Sequence, residues 1–190
     1  VIGSMFYIMD HVPGRNFNEP EMPGLTPMDR TGVIKDMNRV LAALHEVDIN
    51  AVGLADYGPE GNYFERQVGR WSKQYKASET QKNPSMDALM VELVEAQPED
   101  DGQRTLVHGD YRLDNMIFAP DSPQIIAVLD WELSTLGHPY ADLAYQCMQL
   151  RMPAAPKGMS GLAGVNRVAL GIPEEKDYVA QYCERMGIDH

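Results

Sequence analysis

Apolar positions fall first at helical spacing, then in short runs, then at helical spacing again. Thr26-Pro27-Met28-Asp29 carries the marks of a helix start: a hydroxyl cap, a proline at the first position and an acid in the first turn. Val33, Met37, Val40, Leu41 and Leu44 then trace one apolar face. A second helix is predicted from Asn62, with Glu65 three residues on and Phe64, Val68, Trp71 and Tyr75 spaced as a stripe that reads as core packing rather than a ligand box. A third follows Asn83-Pro84, turns Met86, Leu89, Met90, Leu93 and Val94 inward, and ends before Pro98. The period then changes. Thr105 to Val107, Met116 to Phe118 and Ile125 to Leu129 are short apolar runs parted by turn residues, which predicts small strands. Pro139 to Leu150 returns to a helical pattern, residues 151–172 read as a loose connection containing Pro and Gly, and Pro173 to Met186 predicts a last helix closed by Gly187. Ahead of all these, Val1 to Met9 is strand-like and begins without an initiator Met, as if cut from something longer; His11-Val12-Pro13-Gly14-Arg15 breaks it.

Composition narrows the function classes. A 190-residue chain with 44% apolar residues is long enough for one domain with a real core. Its net charge of -12 excludes a nucleic-acid partner bound through excess Lys and Arg. Cys147 and Cys183 lie in helical segments without metal-ligand spacing and read as buried free thiols, as suits a reducing compartment. No run approaches the roughly 18 apolar residues of a membrane span, and the expected location is cytoplasmic.

The chemistry concentrates where the period changes. His108-Gly109-Asp110 is followed by Asn115, five positions after the aspartate, and Asp130 stands at the end of the next apolar run, before Trp131 and Glu132. Phosphoryl transfer needs a carboxylate near the attacking hydroxyl and oxygen ligands that hold Mg2+ against nucleotide phosphates, and Asp110, Asn115 and Asp130 supply that set. Singly, an Asp after Gly is a turn former and an Asn before a strand is a loop cap; the joint spacing is far more restrictive. Arg112 and Asp114 are open to pairing with each other, with substrate or with solvent. Glu132 joins a metal shell only if the strand continues past Asp130, and His138, beside Pro139, reads as shaping a turn.

On these residues the chain resembles the aminoglycoside phosphotransferase and choline kinase family, and within it the phosphotransferase-like domain associated with acyl-CoA dehydrogenases. The resemblance rests on Phe6 to Arg15, on Val107 to Asn115, and on Leu129 to Asp142 with Leu136-Gly137-His138-Pro139. It implies an α+β, protein-kinase-like fold: the mostly helical large (C-terminal) lobe with small β-hairpins, and an N-terminal lobe largely absent. Residues 1–15 would be the last strand of that lobe and the hinge; residues 16–190 would be the large lobe, incomplete at its C-terminal end. The resemblance further implies Asp110 as catalytic base or acceptor-orienting group, Asn115 and Asp130 as magnesium ligands, and Met9, Asp10 and His11 as the hinge meeting the adenine of ATP or GTP. It gives His108 a loop-bracing role. Asp142, in the first turn of its helix, is expected to brace the loop as well.

The phosphate-covering loop and lysine of the small lobe have no recognisable counterpart. Gly32-Val33-Ile34-Lys35 imitates a kinase lysine strand but lies inside a capped amphipathic helix, and Gly58 to Gly61 lacks the Lys-Ser/Thr of a phosphate-binding loop. An apolar strand over Ile2 to Met9 without sheet neighbours would expose an edge, which predicts self-association, a homodimer being the simplest form, or instability. The leading function is an ATP- or GTP-dependent, Mg2+-dependent kinase lobe acting on a hydroxyl of a small molecule; the resemblance suggests a hydroxyacyl-CoA. The alternatives are a non-catalytic nucleotide-binding or docking module that partners an acyl-CoA dehydrogenase, and a two-metal phosphatase, which would need a second ligand cluster.

Overall fold

The computed structural model describes all residues except 1, 2, 4, 5, 7, 156–158 and 190. The strand expected over Val1 to Met9 falls mostly outside the described residues. Helix α1 (Pro27–His45) starts where the sequence places it: the Thr26 hydroxyl accepts from the Asp29 amide and the Asp29 carboxylate accepts from the Thr26 amide, a reciprocal cap with Pro27 at the first position. Thr26→Ala is expected to cost about 1 kcal/mol, read as a lower urea midpoint at unchanged slope. An unchanged midpoint would show that the cap carries no stability.

Helix α1 is the axis of the core. Val33, Met37 and Leu41 are fully buried in one cluster with Tyr178 and Tyr182 of α6 (Glu175–Met186), with Met116 and Phe118 of β2 (Met116–Phe118), and with Leu143 and Cys147 of α4 (Tyr140–Arg151). Polar residues of α1 tie it to its neighbours. Asn38 donates to the Tyr178 carbonyl at 2.9 Å and accepts from Arg185, and the Asp36 carboxylate accepts from the Ile125 amide at 2.6 Å. Cys147 and Cys183 are buried free thiols, as expected.

Two antiparallel pairs of short strands carry the loops. The expected hairpin joins β2 to β3 (Ile125–Val128), with Met116 opposite Val128. The other pair, β1 (Thr105–Val107) with β4 (Thr135–Gly137), brings together segments that the sequence reading left apart. Arg15 bridges Phe118 through two backbone hydrogen bonds of 2.8 Å, so the segment ahead of α1 lies along β2. Gly14 is needed there, since a Cβ would overlap Ile117 and the Phe118 carbonyl.

Helices α2 (Tyr63–Ser78) and α3 (Pro84–Glu95) form where predicted, with Asn62 and Asn83 as caps, but neither buries any residue. The inward face expected of α3 is only half covered: Leu89 is 42% exposed and Leu93 45%. A stripe of apolar residues shows that a helix has two faces without showing what lies opposite. The 151–172 connection holds one element that the sequence reading missed, the short helix α5 (Arg167–Leu170) ended by Gly171. Among the described residues, no helix is long and apolar enough to cross a membrane.

Candidate active site

The loop after β1 is positioned by alternation. Tyr111 and Leu113 are buried, which leaves Asp110, Arg112 and Asp114 facing outward. The Tyr111 hydroxyl reaches the Met37 carbonyl of α1 at 2.8 Å, so the middle of the loop is pinned to the core. Gly109 makes the entry turn at φ +84, and a Cβ there would stand 2.6 Å from the Leu133 carbonyl oxygen. A single 3₁₀ turn, Leu113–Asn115, then delivers the chain into β2.

Both oxygens of the Asp110 carboxylate are held. Oδ2 accepts from Asn115 Nδ2 at 2.9 Å, a group that also donates to the Asp110 carbonyl, and Oδ1 accepts from the Tyr145 hydroxyl at 2.7 Å. Arg112 Nε lies 3.2 Å from Oδ1 without the alignment of a hydrogen bond, while its Nη2 pairs with Asp114 Oδ2 at 2.9 Å. Of the alternatives open for Arg112 and Asp114, pairing within the loop is the one formed. Burial, and next the bond to Asp110, push the Tyr145 phenol well above its ordinary range, so it stays a proton donor. The sequence reading did not single out Tyr145. The signal available was its place three residues after Asp142, on the same helical face.

His108 and Asp142 hold the loop from beneath. His108 is fully buried; its Nδ1 accepts from the Asp110 amide at 3.2 Å, which leaves the proton on Nε2 to be donated to the Leu129 carbonyl at 2.9 Å. The Trp131 ring covers it at 4.6 Å between centroids. Asp142, 1% exposed, accepts the amides of His108 at 2.7 Å and Gly109 at 2.8 Å, one on each oxygen. His45, unnoticed in the sequence, lies 3.3 Å from Asp142 Oδ2 and 2.7 Å from the Tyr182 hydroxyl, linking α1 and α6 to the loop. His138 is buried, its Nδ1 accepting the Tyr140 amide at 3.2 Å, the geometry of the turn expected for it.

Asp130 follows β3 in the left-handed region, at φ 64 and ψ 58, and is exposed. The Leu129 amide donates to the Asn115 carbonyl at 2.8 Å, so Asn115 and Asp130 stand at the same end of the hairpin. Because Asn115 spends its NH2 group on Asp110, its amide oxygen is left out of those bonds. Glu132 does not continue a strand: Trp131–Leu133 is a 3₁₀ turn, so alternation does not carry its exposed side chain to the Asp130 side. Among the described residues, no three His, Cys, Asp or Glu side chains converge on a metal site.

Two cavities flank this loop. Met9, Asp10 and His11 line one of about 500 Å³ together with Ile117 and with Leu129, the residue before Asp130. The other, about 340 Å³, is bounded by Tyr63, Phe64, Arg70 and Trp71 of α2, by Gly109, and by Asp142 and Tyr145 of α4. The α2 stripe expected to be core packing is therefore in part the wall of a cleft, with Trp71 44% exposed.

Among the described residues, six helices and two small antiparallel β pairs, with an Asp-Asn loop after β1, make an α+β, kinase-like fold. The chain belongs to the phosphotransferase enzyme family, whose description matches residues 1–169. It is 44% identical over 188 residues to acyl-CoA dehydrogenase family member 10 of Mus musculus, covering 99% of this chain and 18% of that protein. It is 42% identical over 194 residues to acyl-CoA dehydrogenase family member 11 of Rattus norvegicus, covering 100% and 24%. The chain thus spans less than a quarter of the length of these curated relatives. A Ralstonia eutropha JMP134 protein, described provisionally as an aminoglycoside phosphotransferase, matches with a TM-score of 0.90 at 51% identity, over 97% of this chain and 56% of that one. APH(3'')-Id of Streptomyces rimosus, solved with ADP and streptomycin, matches with a TM-score of 0.58 at 16% identity, over 87% and 59%, a likeness of fold alone.

Proposed function

We propose that this chain is the large lobe of a Mg2+- and ATP- or GTP-dependent small-molecule kinase, with residues 1–15 as the hinge segment and 16–190 as the lobe proper. The observation that carries this reading is the Asp110 carboxylate, gripped on both oxygens beside a cleft and one loop away from the hinge cavity. Asp110 accepts the proton of an acceptor hydroxyl lying in the α2 cleft. The hydroxyl oxygen forms a bond to the γ-phosphorus as the bond to the β,γ-bridging oxygen breaks, and the nucleoside diphosphate leaves. Met9, Asp10 and His11 receive the base in the hinge cavity, and His108 and Asp142 keep the loop in register.

The donor set fits magnesium. An amide oxygen on Asn115 and an exposed carboxylate on Asp130 are hard ligands at one end of a hairpin, and Mg2+ is held by one or two such groups together with substrate phosphates rather than by an all-protein cage. Bound there, the ion would neutralise charge on the phosphates. Asn115→Ala and Asp130→Ala are expected to raise the Mg2+ concentration needed for half-maximal phosphoryl transfer by roughly tenfold or more, by analogy with the loss of one charge-assisted contact. An unchanged metal requirement in both variants would remove them as ligands.

The acceptor proposed is a hydroxyacyl-CoA. Supporting it, α2 carries four basic residues and one acid in a chain of net charge -12, with the Arg70 guanidinium 5.2 Å from the Trp71 ring at the cleft. Of these basic residues Arg70 lines the cleft, where with Phe64 and Trp71 it suits an anion with an apolar body. The names of the relatives point the same way, and an acyl-CoA dehydrogenase as fused or neighbouring partner is part of this proposal. A docking module without catalysis has no chemical use for a carboxylate held as Asp110 is.

A further inference from the structure

We propose that Tyr145 is a positioning residue for phosphoryl transfer: its hydroxyl, donated to Asp110 Oδ1 beside the α2 cleft, sets the direction in which that carboxylate meets the acceptor. The inference rests on the assignment of Asp110 made above and adds a residue from a different element of the fold. Asn115 fixes Oδ2 from within the loop itself, through the same NH2 group that holds the Asp110 carbonyl. One anchored oxygen restrains rotation about the Cβ–Cγ bond only as strongly as a single hydrogen bond can, and a second anchor narrows it further. The second anchor comes from α4, at 2.7 Å on Oδ1. Arg112 does not supply it, because its Nε is misaligned at 3.2 Å and its Nη2 is engaged with Asp114.

The face of α4 that carries Tyr145 is itself referenced to the loop. Asp142, three residues earlier, holds the His108 and Gly109 amides, so one helical face fixes the loop's backbone through Asp142 and its reactive side chain through Tyr145. A shift of α4 relative to the loop would disturb both contacts at once. The phenol also has two separable duties. Its ring lines the cleft beside Gly109, while its hydroxyl is spent on Asp110. Loss of the hydroxyl alone should therefore misdirect the carboxylate without reshaping the acceptor site, a change that affects the reacting geometry more than ground-state binding.

The test compares wild type, Tyr145→Phe and Asp110→Asn in the full-length protein, following transfer from the γ-phosphate of ATP to a panel of hydroxyacyl-CoA thioesters and, with no acceptor, to water. Tyr145→Phe is expected to lower kcat about 10- to 100-fold with the KM for both substrates unchanged. A crystal structure of the variant should show the Asp110 carboxylate rotated away from its present orientation. If Asp110→Asn abolishes transfer while Tyr145→Phe keeps the wild-type kcat, the positioning role is overturned and the assignment of Asp110 stands. A raised acceptor KM with unchanged kcat would also overturn it, by making the phenol a binding group. Full activity in Asp110→Asn, or no transfer by wild type to any of these acceptors, would overturn the proposed function and this inference with it.

Discussion

Asp110→Asn is expected to lower kcat for phosphoryl transfer about a thousandfold while leaving the protein folded and its nucleotide affinity intact. The amide is isosteric, and Tyr145 and Asn115 remain beside it, so the loss isolates the proton-accepting oxygen. Positioned general bases contribute on the order of 100- to 10,000-fold, and a neutral amide retains none of that basicity. The cavity proposed for the nucleotide is lined by Met9, Asp10, His11, Ile117 and Leu129, and not by Asp110. Nucleotide binding, followed by calorimetry, should therefore survive. Equal losses of kcat and nucleotide affinity would point to collapse of the loop instead of loss of a base.

Asp142→Ala should be the most damaging substitution for stability. The carboxylate is 1% exposed and accepts two backbone amides, with a buried His45 nitrogen 3.3 Å away. Alanine would leave these donors without the acceptor that holds them, at a cost of roughly 3–5 kcal/mol. That is a large share of the total stability of a domain of this size. Denaturant unfolding would register the loss, and hydrogen exchange at the His108 and Gly109 amides would localise it. A variant within about 0.5 kcal/mol of wild type would mean that the loop is held mainly by Tyr111 and Leu113.

What the sequence made legible was local. The Thr26-Pro27-Asp29 start of α1, the Asn62 and Asn83 caps, and the spacing from Asp110 to Asn115 each involve residues within a turn or two of one another, where short-range geometry decides the outcome. The neighbourhood of Asn115 and Asp130 was also accessible, because a hairpin with a short loop forces its two ends together. The pairing of β1 with β4 was not, since two three-residue strands far apart in the chain carry no register signal of their own. Tyr145 and His45 escaped for the same reason. Their partners, Asp110 and Asp142, lie 35 and 97 residues away, and nothing in a helical stripe says which side chain will meet a distant carboxylate. The α2 stripe was misread because Phe64 and Trp71 have the spacing of a core face whether they meet other side chains or the open space of a cleft.

The central claim is that this lobe serves chemistry rather than docking. The most direct test is ³¹P NMR of the full-length protein incubated with Mg2+, ATP and a hydroxyacyl-CoA. The γ-phosphate signal of ATP is predicted to decay in step with the growth of ADP and one new phosphomonoester resonance, and ester growth with Asp110→Asn to be about a thousandfold slower. ATP that is bound but left intact, with no ester in either protein, would contradict it.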